Sequence, residues 1–351
     1  MPPSDVGLLL VNLGTPDAPR TAEVRRYLRE FLSDPRVLDM PAPLRWLVLN
    51  LLILPFRPQR SAEAYAKVWT ERGSPLLVHG RDLATKVQAR LGGSAVVALA
   101  MRYGSPSIAE ALDSFHRRGV RRIVVFPLYP QYSSAATGSS EEAVFVRASR
   151  MWNVPQLQVV PPFYDHPRYI ACFAEVVAPC LQEVEPELVF FSFHGLPERQ
   201  IRKSDRNGAY CLQSDDCCEQ APERNPTALG DCYRAQCFST ARLLAASLGI
   251  AGERRVVCFQ SRLGRTPWIR PFTDVEVREA ARRGVRRAVI VVPSFVADCL
   301  ETLEEIGIRA EADWRAHGGQ RLCLVPSLNA RDSWADAVVA IARDASGWLA
   351  S

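Results

Sequence analysis

Two stretches of this chain repeat one pattern, in which a turn led by glycine enters an apolar strand that ends at a proline. Residues 119–127 read GVRRIVVFP, and residues 284–293 read GVRRAVIVVP. The segments 9–16 (LLVNLGTP) and 190–197 (FFSFHGLP) also match in kind. This repetition predicts two α/β halves of similar construction, with chance similarity between two common strand–helix–strand units as the alternative.

Between these stretches, apolar strand candidates alternate with segments of helical period. The further strand candidates are residues 96–101, 123–128, 158–160, 256–259, 287–292 and 322–325. Such alternation predicts parallel sheets that are covered by helices on both faces. We expect a first domain at 1–165 and a second at 166–351, with strand ends of both meeting at a cleft between them.

The composition excludes several classes of function. With 351 residues, of which 48% are hydrophobic, the chain can bury a large core, and its net charge of +5 does not indicate nucleic-acid binding. An apolar run begins directly after Asp5, so we expect no signal or transit peptide. The ten cysteines are therefore expected to stay reduced rather than to form a disulfide framework.

The most hydrophobic stretch is 41–58, PAPLRWLVLNLLILPFRP. Its uninterrupted apolar runs are far shorter than the roughly 18 residues that a spanning helix needs. Trp46 and the leucines, with Arg45, Arg57 and Arg60 beside them, suit a segment that rests at a membrane interface. The alternative is a helix buried under the first domain.

Residues 189–197, VFFSFHGLP, are typical of a central parallel strand that delivers His194 to the carboxyl edge of its sheet. Ligands of open α/β folds bind at that edge. A neutral histidine there, with an ordinary pKa of about 6.5, can accept a proton. The alternative is a histidine that is satisfied within the core.

Residues 293–306, PSFVADCLETLEEI, follow the second repeated strand and open a helix. Glu301 and Glu305 are four residues apart and so share one helical face, with Asp298 and Cys299 just before them. Carboxylates stacked in this way can bind a divalent metal and pass protons. The alternative is a solvated acidic first turn that the helix dipole favours.

Two further loops follow strands. Residues 129–143, YPQYSSAATGSSEEA, combine Tyr132 with small hydroxyl residues and suit a cap on a flat ligand or an anion site. Residues 262–274, RLGRTPWIRPFTD, hold Trp268 among prolines, where a tryptophan is more often an anchor than a ligand platform.

Five of the ten cysteines fall within residues 206–237, a polar segment without strand or helix periodicity. Four thiolates could hold a tetrahedral zinc ion or a [2Fe-2S] cluster, and free thiols are the third alternative. One of Cys217 and Cys218 is the expected spare, because adjacent cysteines rarely both ligate, although Cys237 could also be incidental. The five candidates are Cys211, Cys217, Cys218, Cys232 and Cys237.

Taken in order, these motifs resemble those of the ferrochelatases, the enzymes that insert ferrous iron into a porphyrin at the end of haem synthesis. The matching segments cover nearly the whole chain: VNLGTP, SPLL, MRYGSPS, YPQYSSAATGSS, FSFHGLP, FQSRLGRTPWIRPFTD and ADCLETLEEI. The resemblance implies two similar Rossmann-like domains of the chelatase type, with the active-site cleft between them. It also implies that residues 41–58 form a membrane-facing lip.

Carried over residue by residue, the resemblance makes His194 the active-site histidine, Glu301 its acidic partner and Glu305 the next carboxylate outward. His194 and Glu301 would also meet the substrate iron. Many members carry a histidine where this chain has Cys299. Some ferrochelatases hold a [2Fe-2S] cluster, which favours that cofactor for the cysteine segment. The residues implied to bind or shape the porphyrin pocket are Leu13, Arg102, Tyr103, Tyr132, Trp268 and Asp298.

The resemblance therefore implies a lyase that inserts Fe2+ into protoporphyrin IX and releases two protons, on the cytoplasmic side of a membrane. Coproporphyrin, another tetrapyrrole or another metal is the enzymatic alternative. A haem- or iron-binding redox sensor without turnover is the alternative of a different class. The expected partners are the porphyrin, ferrous iron and a membrane surface, and the chain is expected to be a monomer or a homodimer.

Overall fold

The computed structural model describes residues 5–206, 208–224, 226–264 and 266–349, which form two sheets of four parallel strands. The chain divides into two units, and each sheet belongs to one of them. The first unit comprises Met1–Tyr129, Ser133–Pro162 and Asn329–Ser351, and the second comprises Pro130–Tyr132 and Phe163–Leu328.

The first unit is organised around strand β1, which pairs with β2 on one side and β3 on the other. Its strands are β1 (Val6–Gly14), β2 (Val96–Tyr103), β3 (Arg122–Pro127) and β4 (Gln156–Val159), in the order β2-β1-β3-β4. Its helices are α1 (Thr21–Ser33), α2 (Ala42–Leu47), α3 (Arg57–Val68), α4 (Pro75–Leu91), α5 (Ile108–Arg117), α6 (Ser139–Ser149) and α14 (Asp332–Ala345). Leu8, Leu9 and Leu10 of β1 are all fully buried, as a central parallel strand with both faces covered requires.

Helix α5 covers one face of this sheet. It begins at a capping box, in which the Ser107 and Glu110 side chains each accept a hydrogen bond from the other's backbone N–H. Leu112 and Phe115 of α5 then join Leu9 of β1 in one buried cluster. The apolar residues that recur with helical period in α5 therefore pack against the inward-facing residues of β1 in a single core.

The second unit repeats this arrangement around β5. Its strands are β5 (Leu188–His194), β6 (Arg255–Gln260), β7 (Arg287–Val291) and β8 (Arg321–Leu324), in the order β6-β5-β7-β8. Its helices are α7 (Pro167–Val184), α8 (Glu198–Ser204), α9 (Cys217–Arg224), α10 (Pro226–Asp231), α11 (Tyr233–Ser247), α12 (Thr273–Arg282) and α13 (Glu311–Ala316), with a π-helix at Glu301–Ala310. Phe190, Phe191 and Phe193 of β5 are fully buried.

The identical strand order of the two sheets confirms the predicted internal repeat and the α/β fold class. The repeated GVRR segments lead into β3 and β7, and the predicted strands are all present with small shifts at their ends. The cysteine segment differs from its prediction, because it contains the short helices α9 and α10.

The assignment of the C-terminal residues also differs from the prediction, which placed them in the second domain. Helix α14 belongs to the first unit, and Asp332 at its start lies 3.1 Å from Lys86 Nζ and 3.1 Å from Arg90 Nη2 of α4. Arg90 and Asp332 are 242 residues apart in the chain. A boundary drawn from local patterns could not include a contact of that range.

Residues 41–58 form α2, a π-helical stretch at Val48–Ile53 and the start of α3. We call these residues the lip. Trp46, Leu52 and Phe56 are exposed by 61%, 64% and 72%, whereas Leu49 and Leu54 are buried. The lip therefore turns an apolar face outward, and the alternative of a wholly buried helix is wrong. In the described ranges, no helix is long and apolar enough to cross a membrane.

We predict that Gly14→Ala lowers the free energy of unfolding by at least about 2 kcal/mol. Gly14 ends β1 with φ of 122°, and a Cβ there would lie 1.9 Å from the Tyr103 carbonyl oxygen. Gly93→Ala is the matched control, because a Cβ at Gly93 meets no atom within 4 Å. Urea denaturation checks this, and equal stability of the two variants would contradict it.

Candidate active site and cysteine cluster

The predicted site residues lie in both units, many of them at or just after the carboxyl ends of strands. In the first unit, Leu13 is near the end of β1, and Arg102 and Tyr103 end β2. The second unit contains the others: Tyr132, His194, Trp268, Asp298, Glu301 and Glu305.

His194 is the last residue of β5, and its ring has a defined orientation. Its Nδ1 lies 2.6 Å from the Gly195 carbonyl oxygen. Because a carbonyl oxygen only accepts hydrogen bonds, Nδ1 carries the hydrogen of the neutral ring and Nε2 keeps its lone pair. The backbone is fixed as well, since the His194 N–H donates to Ser294 Oγ at 3.2 Å and its carbonyl accepts from the Tyr233 hydroxyl at 2.8 Å.

Gly195 allows the chain to turn tightly after His194. A Cβ at this position would lie 2.8 Å from the Gln260 carbonyl oxygen and 3.2 Å from Cε3 of Trp268. The Trp268 ring therefore packs against the turn, and its Nε1 donates to the Leu263 carbonyl at 2.9 Å. Trp268 is thus anchored beside the histidine, in agreement with the anchor role that its prolines predict.

Gln260, at the end of β6, ties Glu301 to the strand that carries His194. Its buried side chain accepts from Ser192 Oγ of β5 at 2.8 Å and donates to the Glu301 carbonyl oxygen at 2.9 Å. The Cys299 thiol is a hydrogen-bonding neighbour of the Glu301 side chain. Burial, followed by the negative charge of Glu301, raises the pKa of Cys299 well above its usual value, so this thiol stays protonated.

Glu301 and Glu305 belong to a π-helix of ten residues, not to the α-helix that their spacing suggested. π-Helical stretches are rare in proteins, and those that occur are often found at functional sites. The Glu305 carboxylate accepts two hydrogen bonds from Ser261, from its N–H at 2.8 Å and its Oγ at 2.6 Å. Ser261 has φ of 65°, in the left-handed region. Arg309 lies 4.0 Å from Glu305.

Asp298 is buried immediately before this π-helix. Its Oδ1 accepts from Thr302 Oγ1 at 3.0 Å and from the Ser327 N–H at 3.3 Å. These bonds hold the start of the π-helix against the end of β8. The predicted contact of Asp298 with substrate stays a prediction.

In the first unit, Arg102 and Tyr103 belong to a network around the buried Asp34. Asp34 Oδ2 accepts from Arg102 Nη2 at 2.7 Å, from the Tyr103 hydroxyl at 2.8 Å and from Ser139 Oγ at 2.6 Å. Burial acts to raise the pKa of Asp34, but the hydrogen bonds from Ser139, the Arg36 N–H and Tyr103, with the charge of Arg102, hold it below its usual value. Tyr103 is only 1% exposed, so its contact with a porphyrin stays a prediction.

Sequence reasoning missed Asp34, Gln260 and Ser261. Gln260 and Ser261 lie in the motif FQSRLGRTPWIRPFTD. The position of this motif at the end of a predicted strand was the signal that could have identified them. Asp34 carried no such signal, because its partner Ser139 lies 105 residues away in the chain.

Four thiols of the cysteine segment contact one another in pairs, and all four are buried. Cys217 Sγ and Cys218 Sγ are 3.8 Å apart. The Cys211 thiol is a hydrogen-bonding neighbour of Cys232, which also neighbours Cys218. Cys237 lies instead beside the Tyr233 hydroxyl. In the described part of the chain, no group of three or more His, Cys, Asp or Glu residues meets the geometry for a metal ion.

The loop that enters this segment is fixed by Asp205. Its Oδ2 accepts from the backbone N–H groups of Tyr210 and Cys211, each at 2.8 Å. A hydrogen bond from the Cys218 thiol lowers the pKa of Cys217 to about 6. Hydrogen bonds from Cys211 and Cys218 lower the pKa of Cys232 to about 3. Hydrogen bonds within the cluster therefore favour the ionised forms of Cys217 and Cys232.

Two sheets of one parallel order, with a histidine at a strand end and carboxylates on the π-helix, define a protein of the chelatase fold. SirB from Bacillus subtilis with Fe3+ has a TM-score of 0.51 at 15% identity, covering 78% of this chain and 94% of that chain. The sirohydrochlorin chelatase SirB of Bacillus subtilis subspecies spizizenii, in complex with cobalt, has a TM-score of 0.53 at 10% identity, covering 97% and 95%. At these identities the likeness concerns the fold alone.

Sequence comparison identifies the family. A family model of the ferrochelatases matches residues 5–346. Ferrochelatase of Azotobacter vinelandii (strain DJ / ATCC BAA-1303) is 46% identical over 342 residues, 97% of this chain and 99% of the relative. That of Coxiella burnetii (strain Dugway 5J108-111) is 45% identical over 338 residues, 96% and 93%. The chain belongs to the ferrochelatase family and is an enzyme, a lyase that inserts ferrous iron into a porphyrin.

We predict that Asp34→Asn lowers the free energy of unfolding at neutral pH by about 2–3 kcal/mol, because it removes the charge at the centre of a buried network. The pKa of Asp34 is lowered on folding from 3.8, so its stabilisation is present above that pH and is lost as the pH falls through the folded value. Urea denaturation at neutral and acidic pH measures both effects.

Asp17→Asn is the control for this variant. Asp17 pairs with Arg26 at 2.6 Å, but both side chains are at least half exposed, so the change is expected to cost under about 0.5 kcal/mol. A stability loss in Asp34→Asn that stays constant into the acid range would contradict the network's dependence on charge.

Proposed function

We propose that His194 accepts the pyrrole protons of protoporphyrin IX, while Glu301 and Glu305 hold partly hydrated Fe2+ and pass the protons outward. The observation that carries this proposal is the hydrogen bond between His194 Nδ1 and the Gly195 carbonyl. It supports Nε2 as the proton acceptor, because the other ring nitrogen is already engaged. Metalation needs such a base, since two N–H protons must leave the porphyrin as iron enters.

The contacts of the two glutamates support different roles. Gln260 fixes Glu301 through its backbone carbonyl, and the carboxylate, a hydrogen-bonding neighbour of the Cys299 thiol, keeps lone pairs for iron or for a proton. Glu305 accepts one hydrogen bond on each carboxylate oxygen from Ser261, and each oxygen keeps a second lone pair. Carboxylate oxygens are suitable ligands for a partly hydrated divalent cation. We therefore assign Glu301 to the reacting iron and Glu305 to its approach.

We assign substrate binding to Trp268, Tyr132 and Leu13, with Arg102 and Tyr103 as further candidates. The anchored Trp268 beside the turn after His194 supports a contact with a flat aromatic ligand. Protoporphyrin IX is favoured over coproporphyrin because the exposed apolar lip suits a poorly soluble substrate delivered from a membrane.

We predict that His194→Ala lowers the rate constant of haem formation by at least about 100-fold, because general-base catalysis contributes that much or more. The assay supplies Fe2+ and protoporphyrin IX without oxygen and follows haem absorbance. His116→Ala, on the exposed side of α5, is the control and should retain the wild-type rate. Undiminished haem formation in His194→Ala would remove the base from the proposal.

The same assay with coproporphyrin tests the substrate assignment. A higher kcat/KM for coproporphyrin than for protoporphyrin IX would contradict it. Tight haem binding without any insertion would favour the non-catalytic binding protein instead.

Peripheral membrane contact through the lip is also part of the proposal. Trp46, Leu52 and Phe56 project from one segment with basic residues at its ends, an arrangement that suits the interface of an anionic bilayer. Burial of even one such side chain contributes about 1.5–3 kcal/mol.

We predict that combining Trp46→Ser with Phe56→Ser weakens binding to vesicles that contain phosphatidylglycerol by at least about tenfold. Trp152→Ser is the matched control, because Trp152 is 98% exposed but lies outside the lip. Vesicle co-sedimentation measures both. Equal losses in the two variants, or none in the lip variant, would contradict membrane contact through the lip.

For the cysteine segment we propose a [2Fe-2S] cluster held by Cys211, Cys217, Cys218 and Cys232. Such a cluster takes two protein sulfurs on each of two irons, so it requires two neighbouring pairs and not one compact group. The pairs Cys217–Cys218 and Cys211–Cys232 meet that requirement. Two sulfurs on one tetrahedral metal at about 2.3 Å are about 3.8 Å apart, the separation of Cys217 and Cys218. When bound, the cluster supplies a one-electron redox centre.

This assignment makes Cys237 the spare, and it keeps both adjacent cysteines as ligands. We predict that Cys218→Ser abolishes the visible [2Fe-2S] absorption of the purified protein, whereas Cys237→Ala retains it. Iron and acid-labile sulfide analysis provides the measurement, and zinc in their place would favour the tetrahedral zinc alternative. Loss of the cluster in Cys237→Ala alone would contradict the choice of ligands.

A further inference from the structure

Arg234, the second residue of α11, is a buried cation beside the four thiols. It is 8% exposed, and its Nη1 lies 3.0 Å from Cys218 Sγ. Its Nε and Nη2 donate to the Arg270 carbonyl oxygen at 3.4 and 3.3 Å, and its guanidinium stacks on the Phe238 ring at 4.7 Å. The guanidinium is therefore held on three sides, with one edge turned to a sulfur.

A buried guanidinium needs an anion, because desolvation of an unpaired charge is costly. Among the side chains that the structure describes, which do not include those of residues 222–228, no carboxylate forms an ion pair with Arg234, and its other polar contact is a neutral carbonyl. The group that the structure places at its remaining edge is the Cys218 sulfur of the cysteine cluster. Arginine keeps its charge at all relevant pH values, so a buried guanidinium needs a neighbouring anion throughout that range.

We propose that Arg234 is the counter-ion of the iron–sulfur cluster and raises its reduction potential through the contact with Cys218. This inference rests on the cluster that is assigned above. A cluster with four thiolate ligands is net negative and gains a further negative charge on reduction, so a fixed cation at one ligand favours the reduced form. Charge and hydrogen bonds at the sulfurs are established determinants of such potentials.

The surroundings of Arg234 indicate why arginine is present and not lysine. The planar guanidinium can stack on Phe238 while its edges reach Cys218 Sγ and the Arg270 carbonyl at once. An ammonium group would keep the charge but could not make these contacts in one plane. Arg234→Lys therefore tests geometry, and Arg234→Met tests charge with much of the side-chain volume retained.

The experiment is a redox titration of the purified full-length protein, followed by the visible absorption and by the electron paramagnetic resonance of the reduced cluster. For Arg234→Met we expect the ratio of reduced to oxidised cluster at a fixed potential to fall at least tenfold, about 59 mV for one electron. For Arg234→Lys we expect this ratio to fall less than for Arg234→Met. Arg206→Met is the matched control: Arg206 pairs with Asp231 in the same segment, but its side chain is 81% exposed, so no shift is expected.

Iron and sulfide content separates the failures. A wild-type protein without iron and sulfide overturns the cluster and this inference with it. A full cluster in Arg234→Met with an unchanged potential overturns the role of Arg234 alone. Arg234→Met could be folded, as judged by circular dichroism, and yet lack the cluster. In that case, a cluster that is retained in Arg234→Lys supports the role of Arg234 as counter-ion. A cluster that is lost in Arg234→Lys as well contradicts a role based on charge.

Discussion

The position of His194, the proposed base, depends on the central place of β5, which pairs with β6 on one side and β7 on the other. A strand bonded on both edges has no freedom to shift, so its last residue is fixed relative to the loops that follow its neighbours. Gly195 then lets the chain pass within van der Waals reach of Gln260 and Trp268. The ring of His194 bonds to the carbonyl of that same glycine, and this couples the turn to the chemistry of Nε2.

The parts of this structure that local patterns determine could be predicted from the sequence. Apolar runs closed by glycine and proline predicted the strands, and the repeated GVRR segments predicted two similar α/β halves, which the identical strand orders confirm. His194 followed from the same reasoning, because a strand that ends at a polar residue must present it at the sheet edge. The family resemblance then suggested the proposed roles of the two glutamates, which spacing alone left open.

The rest depends on contacts between residues that are distant in the chain. Ser261 and Glu305 are 44 residues apart, and no local sequence pattern indicates that Ser261 donates hydrogen bonds to the Glu305 carboxylate. The π-helix is equally hidden, because its sequence has a pattern compatible with an α-helix. The proposed choice among the five cysteines also required the structure, since Cys237 is nearer in sequence to Cys232 than Cys218 or Cys211 is, yet it lies beside Tyr233.

The central claim is that the Gly195 carbonyl fixes the hydrogen of His194 on Nδ1 and leaves Nε2 as the base. Nuclear magnetic resonance of protein labelled with 15N-histidine tests this most directly, at pH about 8.5, where an ordinary imidazole is neutral. Of the 5 histidines, the signals of His194 are those that vanish in His194→Gln. The account predicts a hydrogen on Nδ1 and a bare Nε2. A neutral ring with its hydrogen on Nε2 would contradict it.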